Sequence, residues 1–373
     1  FDDNEIIISR TPKQTIDYWY NEKGNLTGKS IYTASGAEQK YIYHISEDKN
    51  ERLVTLPTGG ISQYGFDHLG RKTFDEIELG TGLLSRSFTY HAGKITEEHQ
   101  AYEKVKSVPT TTLVDKITYA NGRTIRYEYD PEERITKVTD SVDGVTEYTY
   151  DMLGQLICEK RNGVATDITY DEYGNILSKG GKTYAYGETN ADLLTSYDGA
   201  AISYGSGVSK ALNPIVYRGM NLTWTKGRQL ASANSNEKTI TFSYNPKGIR
   251  TSKTVNGVKH DYVLEGTKLI RDMYNGVDYL YDAEDQVCGM VYDGNAYYFY
   301  KNLQGDVIAI TNAKGVEIAR YSYDAWGVCT ITGLTELGTA VANKKVFRYR
   351  SYIYDADLGL YYLHNRYYDP EVG

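Results

Sequence analysis

Along most of this chain apolar and polar residues alternate one by one in short runs, and each run stops at Gly, Asn or Asp. A period of two puts residues i and i+2 on one face of an extended strand, so the pattern predicts β-strands with one apolar face rather than helices. Residues 117–179 parse without remainder into strands at 117–119, 123–129, 134–139, 145–150, 155–160, 164–170 and from 175. The breaks between them are alternately Asn-Gly or Asp-Gly pairs and Asp-led turns, as an antiparallel meander requires.

The runs repeat. An aromatic or aliphatic residue, any residue, an aromatic and then a polar turn-former recurs at Tyr18-Trp-Tyr-Asn, Tyr41-Ile-Tyr-His, Tyr64-Gly-Phe-Asp, Phe88-Thr-Tyr-His, Tyr127-Glu-Tyr-Asp, Tyr148-Thr-Tyr-Asp and Ile168-Thr-Tyr-Asp. It returns at Phe242-Ser-Tyr-Asn, Tyr279-Leu-Tyr-Asp, Tyr298-Phe-Tyr-Lys, Tyr321-Ser-Tyr-Asp and Tyr352-Ile-Tyr-Asp, with a worn copy at Leu222-Thr-Trp-Thr. The spacing is about 20 residues, or a multiple of it, which marks a repeat architecture. Both rings of a copy share a strand face and can meet rings of the neighbouring strands. The Asp opens the turn by accepting backbone N–H groups, and the Gly three residues on, as at Gly154 and Gly174, closes it at positive φ. Between copies, Asn121-Gly122, Asp143-Gly144, Asn162-Gly163, Asn256-Gly257, Asn275-Gly276 and Asp293-Gly294 predict type I′ hairpin turns.

Twelve to fourteen repeats of two strands make roughly 25 strands and a sheet on the order of 120 Å wide. Open twisted sheets rarely exceed about ten strands without curling. The expected fold is therefore all-β, a long antiparallel meander of hairpins curling into a spiral or hollow shell. Three stretches break the period: 96–113, expected to be a loop or short helix, and 187–221 and 332–345, each expected to be an insertion.

Composition sharpens this. The chain has 373 residues with 38 Tyr but only 7 Phe and 3 Trp, so its rings nearly all carry a hydroxyl. A net charge of −8 disfavours nucleic acid or an anionic membrane as partner. No apolar run is long enough for a transmembrane helix. The opening residues, Phe1 to Glu5, hold neither an initiator Met nor a signal peptide, as expected of a piece of something longer. Cys158, Cys288 and Cys329 are far apart and form no metal-ligand spacing.

Residues 347–373, with the Tyr323-Asp-Ala-Trp-Gly that precedes them, resemble the C-terminal core signature of Rhs or YD-repeat proteins, and the looser repeats cover nearly everything else. The resemblance implies a hollow β-shell at 1–346 that encapsulates a C-terminal polymorphic toxin, with 347–373 closing the shell as a plug. It also implies kinship with shells of insecticidal toxin complexes and of the teneurin adhesion proteins. In toxin-bearing members the Asp-Pro element is followed by further Asp-Pro pairs that carry an aspartyl self-cleavage centre. Here Asp369-Pro370 stands near the last residue, so neither that centre nor the toxin domain is expected in this chain. The implied partner is the protein's own C-terminal toxin domain, with cell-surface glycans or receptors also considered. The implied setting is a secreted or cell-surface bacterial protein.

Catalytic signatures are not found: no Gly-x-Ser-x-Gly, no His-Glu-x-x-His, no phosphate-binding loop. No catalytic, metal or cofactor residue is assigned and no cofactor is expected. His44 and His91 stand where other copies carry Asp and read as turn residues. Asp355-x-Asp357-x-Gly359 hints at a calcium loop but lacks the distal Glu and reads better as a turn. The candidates for plug or cargo contact are Arg348, Arg350, Tyr352, Tyr354, Asp355, Tyr361, Tyr362, Arg366, Tyr367, Tyr368, Asp369 and Pro370. Within them, Asp355 or Asp369 and the rings are the expected partners of the arginines. Two other readings compete with the shell. A carbohydrate- or cell-wall-binding array would use tyrosine faces, though choline-binding repeats of that kind lean on Trp. An outer-membrane barrel needs an apolar outward band, and the alternate positions here are polar.

Overall fold

The computed structural model describes residues 4–11, 14–33, 38–45, 52–80, 82–92, 111–205 and 212–373. Strands make up 59% of the described residues and helix 4%. They form an 18-stranded sheet from Asn4–Thr11 to Ala200–Ala201, a 14-stranded sheet from Ser203–Tyr204 to Cys329–Gly333, and a three-stranded sheet near the C-terminus. Within the two large sheets each strand pairs antiparallel with its neighbour in sequence, for example Thr124–Tyr129 with Ile135–Asp140 and Gly144–Tyr150 with Leu156–Arg161. The strand boundaries expected for 117–179 recur within a few residues. The 35 strands among the described residues exceed the roughly 25 expected, because short strands also fill 182–217 and the terminal block.

One local device accompanies the curl. The register slips at the second aromatic of copy after copy: between Glu128 and Tyr129, Thr149 and Tyr150, Thr169 and Tyr170, Ser243 and Tyr244, and Leu280 and Tyr281. A bulge bends its strand and increases twist. Set at the same place in each repeat, it bends the sheet in one sense.

The same aromatic explains the composition. Its hydroxyl crosses to the carbonyl that opens the preceding repeat: Tyr129 to Val114 at 3.0 Å, Tyr150 to Ile135 at 2.9 Å, Tyr170 to Leu156 at 2.8 Å and Tyr244 to Leu230 at 2.9 Å. Phe would pack as well and leave that carbonyl without its donor. Burial, then the nearby Asp115, pushes the Tyr129 phenol up to about 12, so it remains a donor at neutral pH. The Asp turns form as expected: Asp151 Oδ1 accepts the amides of Leu153 and Gln155, Asp171 Oδ1 those of Tyr173 and Asn175, and Gly154 and Gly174 stand at φ 81° and 89°.

Several expectations need correction. Only Asn162-Gly163, Asn256-Gly257 and Asp293-Gly294 place both residues at positive φ, as a type I′ turn demands. In the pairs at 143–144 and 275–276 an upstream carboxylate, Asp140 or Asp272, takes the turn amides and shapes a longer loop. Asn121 also keeps negative φ, and its side chain accepts the Arg123 amide. The copy read as 298–301 is out of frame by one. Its turn opens at Asn302, whose Oδ1 accepts the Asp306 amide, so Lys301 holds the place of the second tyrosine. The expected insertion at 187–221 continues the repeat with shortened strands, Tyr204 still donating to Leu194 at 2.8 Å. The break at 332–345 contains the helix Glu336–Lys344, its first turn capped by the Thr335 hydroxyl. Most of 96–113 lies outside the described residues, as does the turn after His44. His91 Nε2 lies 2.9 Å from the Tyr127 carbonyl.

The two sheets meet face to face along part of their length. Ile16, Ile31, Val54, Ile117 and Tyr127 of the first share one core with Val263, Ile270, Met290, Val307 and Ile310 of the second. Polar bonds cross the same boundary: Tyr119 Oη to the Lys301 carbonyl at 2.8 Å, Thr58 to Tyr298 at 2.9 Å and Lys29 to Glu265 at 2.7 Å. Strands 277–310 are buried on both faces, because the helix and the residues after it cover the far side. Tyr321 Oη donates to the Ala342 carbonyl and the Phe347 ring stands edge-on to Tyr279. Farther along, the sheets do not share this core, and residues 347–373 occupy the space against strands 176–255.

Candidate functional site

The terminal block is held by partners in both sheets. Its small sheet comprises Ile353–Asp355, Leu360–Tyr362 and Tyr367–Tyr368. Leu358 and Leu360 complete a second, smaller core with Leu222, Leu230, Ala233 and Ile240 of the wall. Three block tyrosines donate to three successive carbonyls of the Asp324-Ala-Trp-Gly turn: Tyr349 to Ala325 at 2.9 Å, Tyr368 to Trp326 at 2.7 Å and Tyr361 to Gly327 at 3.0 Å. The turn is gripped from the other side by Glu159, whose Oε2 accepts the Ala325 amide at 3.0 Å, and by the Lys179 ammonium 4.6 Å over the Trp326 ring.

Charge is concentrated at two points. Asp355, with a fully buried side chain, bridges Arg250 at 2.8 Å and Lys253 at 2.7 Å. Lys253 also reaches Asp357 at 2.7 Å, and Lys238 reaches Asp357 at 3.0 Å. Burial works to raise the Asp355 carboxyl, but the Arg250 and Lys253 charges overcome it and hold the group below the usual carboxylate range. Arg250 stacks 4.3 Å over the Tyr362 ring while its backbone N–H donates to the Tyr362 hydroxyl at 2.9 Å. The second point is Asp369. Its Oδ2 accepts from Tyr217 at 2.8 Å and from Arg218 at 3.2 Å, and its Oδ1 accepts the Glu371 amide at 2.9 Å. Beside it Lys179 lies 3.5 Å from the Pro370 carbonyl. Burial pushes Glu159 and Asp324 up and Lys179 down, so proton affinities converge around this end of the block.

The arginines do not pair as expected. Arg348 stacks 4.1 Å over Tyr354, Arg350 lies 5.2 Å over Tyr349 with its backbone N–H on Asp306, and Arg366 is exposed. Their expected carboxylates, Asp355 and Asp369, are taken by wall residues Arg250, Lys253 and Arg218 instead. Chain order accounts for part of this: Asp355 ends the strand Ile353–Asp355, while Arg348 and Arg350 precede it at the turn 348–351. Tyr354 meets Tyr361 edge-on at 5.1 Å, Tyr367 and Tyr244 hydroxyls lie 3.3 Å apart, and Tyr352 is exposed. The wall residues Lys179, Tyr217, Arg218, Arg250 and Lys253 carry no repeat signature. In the sequence only the charge of Lys179, Arg250 and Lys253 within strands marks three of them.

The Asp355–Gly359 region is a turn, with Gly359 N–H on the Asp355 carbonyl at 2.8 Å. Among the described residues no cluster of His, Cys, Asp and Glu is placed to hold a metal ion, and no helix is long and apolar enough to cross a membrane. Three cavities flank the block, of about 410, 560 and 430 Å³. The arrangement can bind and exclude water.

A family model described as "Teneurin YD-shell" matches residues 71–192. A tRNA3(Ser)-specific nuclease WapA of Bacillus spizizenii is 28% identical over 97% of this chain, which spans 14% of that protein. A double-stranded DNA deaminase toxin A of Burkholderia cenocepacia is 23% identical over 96% of the chain, which spans 28% of it. The chain thus covers only a minor part of these relatives. Among solved structures, the Photorhabdus luminescens Tc holotoxin pore superposes with a TM-score of 0.62 over 96% of this chain and 20% of that one, at 17% identity. A repeat of this type, on a bulged antiparallel shell fold with a terminal block of this signature, makes the chain similar to the Rhs/YD-repeat proteins.

Proposed function

We propose that this chain is a non-catalytic stretch of container wall in a secreted or cell-surface bacterial toxin, and that 347–373 closes the container by folding into it. In this reading 1–346 forms the wall, and the enclosed partner is a C-terminal toxin domain of the full-length protein. The carrying observation is the position of the block: its tyrosines and carboxylates are bonded to the second sheet at Trp326, Gly327, Arg218 and Arg250, and its Pro370 and Val372 carbonyls to Lys179 and Tyr184 of the first. The relatives add support. One is named as a tRNA nuclease and the other as a DNA deaminase, yet both share nearly all of this chain. A segment common to two unlike activities fits a scaffold better than the site of either. Buried rings with engaged hydroxyls also leave few tyrosine faces free to stack on sugars, which disfavours a glycan-binding array.

The test removes residues 347–373 and compares limited proteolysis and hydrophobic-dye binding with the intact chain. Faster cleavage and stronger dye binding are expected; equal resistance would reduce the block to a tail and remove the main support for a container.

A further inference from the structure

Between the block and the wall strands Pro214–Tyr217, Met220–Thr225 and Gln229–Asn234 lies the cavity of about 430 Å³. Its floor is aliphatic, made by Leu222, Leu230, Leu358 and Leu360, and Met220 and Trp224 extend it upward. The Trp224 indole N–H is already spent on the Pro214 carbonyl at 2.7 Å, so the ring offers the cavity only its apolar surface. Leu212, at the rim, is 55% exposed, an apolar side chain left in water beside an apolar cleft. Two cations stand at the same mouth. Arg228 and Arg366 both line the cavity and both are exposed. Neither has an ion-pair partner among the described residues, although carboxylates outnumber cations along the chain, 49 to 41.

From this geometry we infer that the cleft grips an extended polypeptide segment in which an aliphatic or aromatic side chain is flanked by carboxylates. The apolar side chain fills the Leu-lined floor and the carboxylates meet Arg228 and Arg366. Apolar anchor and charged rim divide the work as in other protein interfaces, the anchor supplying affinity and the charges selection and orientation. Guanidinium groups suit carboxylates because their paired N–H donors match the two oxygens. A nucleic-acid strand fits less well, because the chain's net charge of −8 opposes a polyanion. The inference rests on the container reading, since the cleft would then hold part of the enclosed chain against the inner wall.

The test titrates the intact chain with two acetylated, amidated tetrapeptides, Glu-Leu-Phe-Glu and Lys-Leu-Phe-Lys, following heat of binding and tryptophan fluorescence. The acidic peptide is expected to bind about tenfold or more tightly than the basic one, and 0.5 M salt to shrink the gap. Arg228→Glu with Arg366→Glu should reverse the preference, while Arg228→Lys with Arg366→Lys should keep its sign. Both positions are exposed, so circular dichroism of the variants should match the parent. Equal binding of the two peptides, a preference unmoved by charge reversal, or tighter binding of an oligothymidylate would overturn the inference. The proteolysis comparison above reads the container independently: a peptide-blind cleft in a protease-resistant chain would sink only this inference.

Discussion

The indole nitrogen of Trp224 donates to the Pro214 carbonyl at 2.7 Å, the bond that Tyr244 makes to Leu230 one repeat later and Tyr204 to Leu194 one repeat earlier. The worn copy Leu222-Thr-Trp-Thr has therefore lost the tyrosine and kept its function. A repeat tolerates any ring that presents a donor at that distance from the strand. This bond between successive repeats, more than ring stacking, is why the chain uses Tyr where Phe would fill the same volume.

Tyr150→Phe and Tyr170→Phe should each lower stability by about 1–2 kcal/mol, the cost of leaving a partly buried carbonyl without its donor. Trp224→Phe should cost a similar amount and Trp224→Tyr clearly less. Urea denaturation of the single variants checks this. Phe variants as stable as the parent would show that the hydroxyl bonds contribute nothing net.

Gly154 and Gly174 hold φ values of 81° and 89°. A β-branched residue there is strained, and a Cβ on Gly154 would also stand 3.2 Å from the Arg134 guanidinium. Gly154→Val and Gly174→Val should each cost about 1–3 kcal/mol. Unchanged denaturation midpoints would contradict the turn geometry.

How much of this was legible in the sequence depends on how local the cause is. Alternation and Asp-x-x-Gly turns are properties of a few consecutive residues, and the strands of 117–179 follow from them. The frame at 298–301 could not be read that way. Its turn is set by Asn302 and Gly305, whereas the aromatic run suggested a copy one residue earlier. The pairing of Asp355 with Arg250 and Lys253 joins residues about a hundred positions apart, and no periodicity encodes it. The sequence showed a block dense in Tyr, Arg and Asp, but which charges meet was decided by the wall.

Asp355 offers the sharpest test of the block's anchoring. Asp355→Asn keeps the shape, leaves buried Arg250 without its carboxylate and Lys253 with Asp357 alone, and should destabilise by about 3–5 kcal/mol. Adding Lys253→Met removes one of those cations and should recover part of the loss. If the double variant is no better than the single, the cluster is not coupled as its distances of 2.8 and 2.7 Å imply.

The pH response follows from two carboxylates displaced in opposite directions. Burial pushes Asp282 up to about 6, with Lys301 and the amides of Gln286 and Glu284 opposing it. The folded state therefore holds this proton more tightly than the unfolded chain, whose Asp titrates near 3.8. Its contribution is fully present below about 3.8 and is lost as pH rises through about 6, on the order of 2–3 kcal/mol. Asp355 has the other sign: held low in the fold, it stabilises above the ordinary Asp range and loses that contribution as pH falls through its folded value. Asp282→Asn should thus flatten the decline in stability between about pH 4 and 6 and leave the acid limb in place, whereas Asp355→Asn should weaken the acid limb. Denaturation midpoints measured across this range for the parent and both variants separate the two. A parent-like slope in Asp282→Asn would mean that the slope arises from other buried carboxylates, Glu159, Asp306 and Asp324 among them, each also raised first by burial.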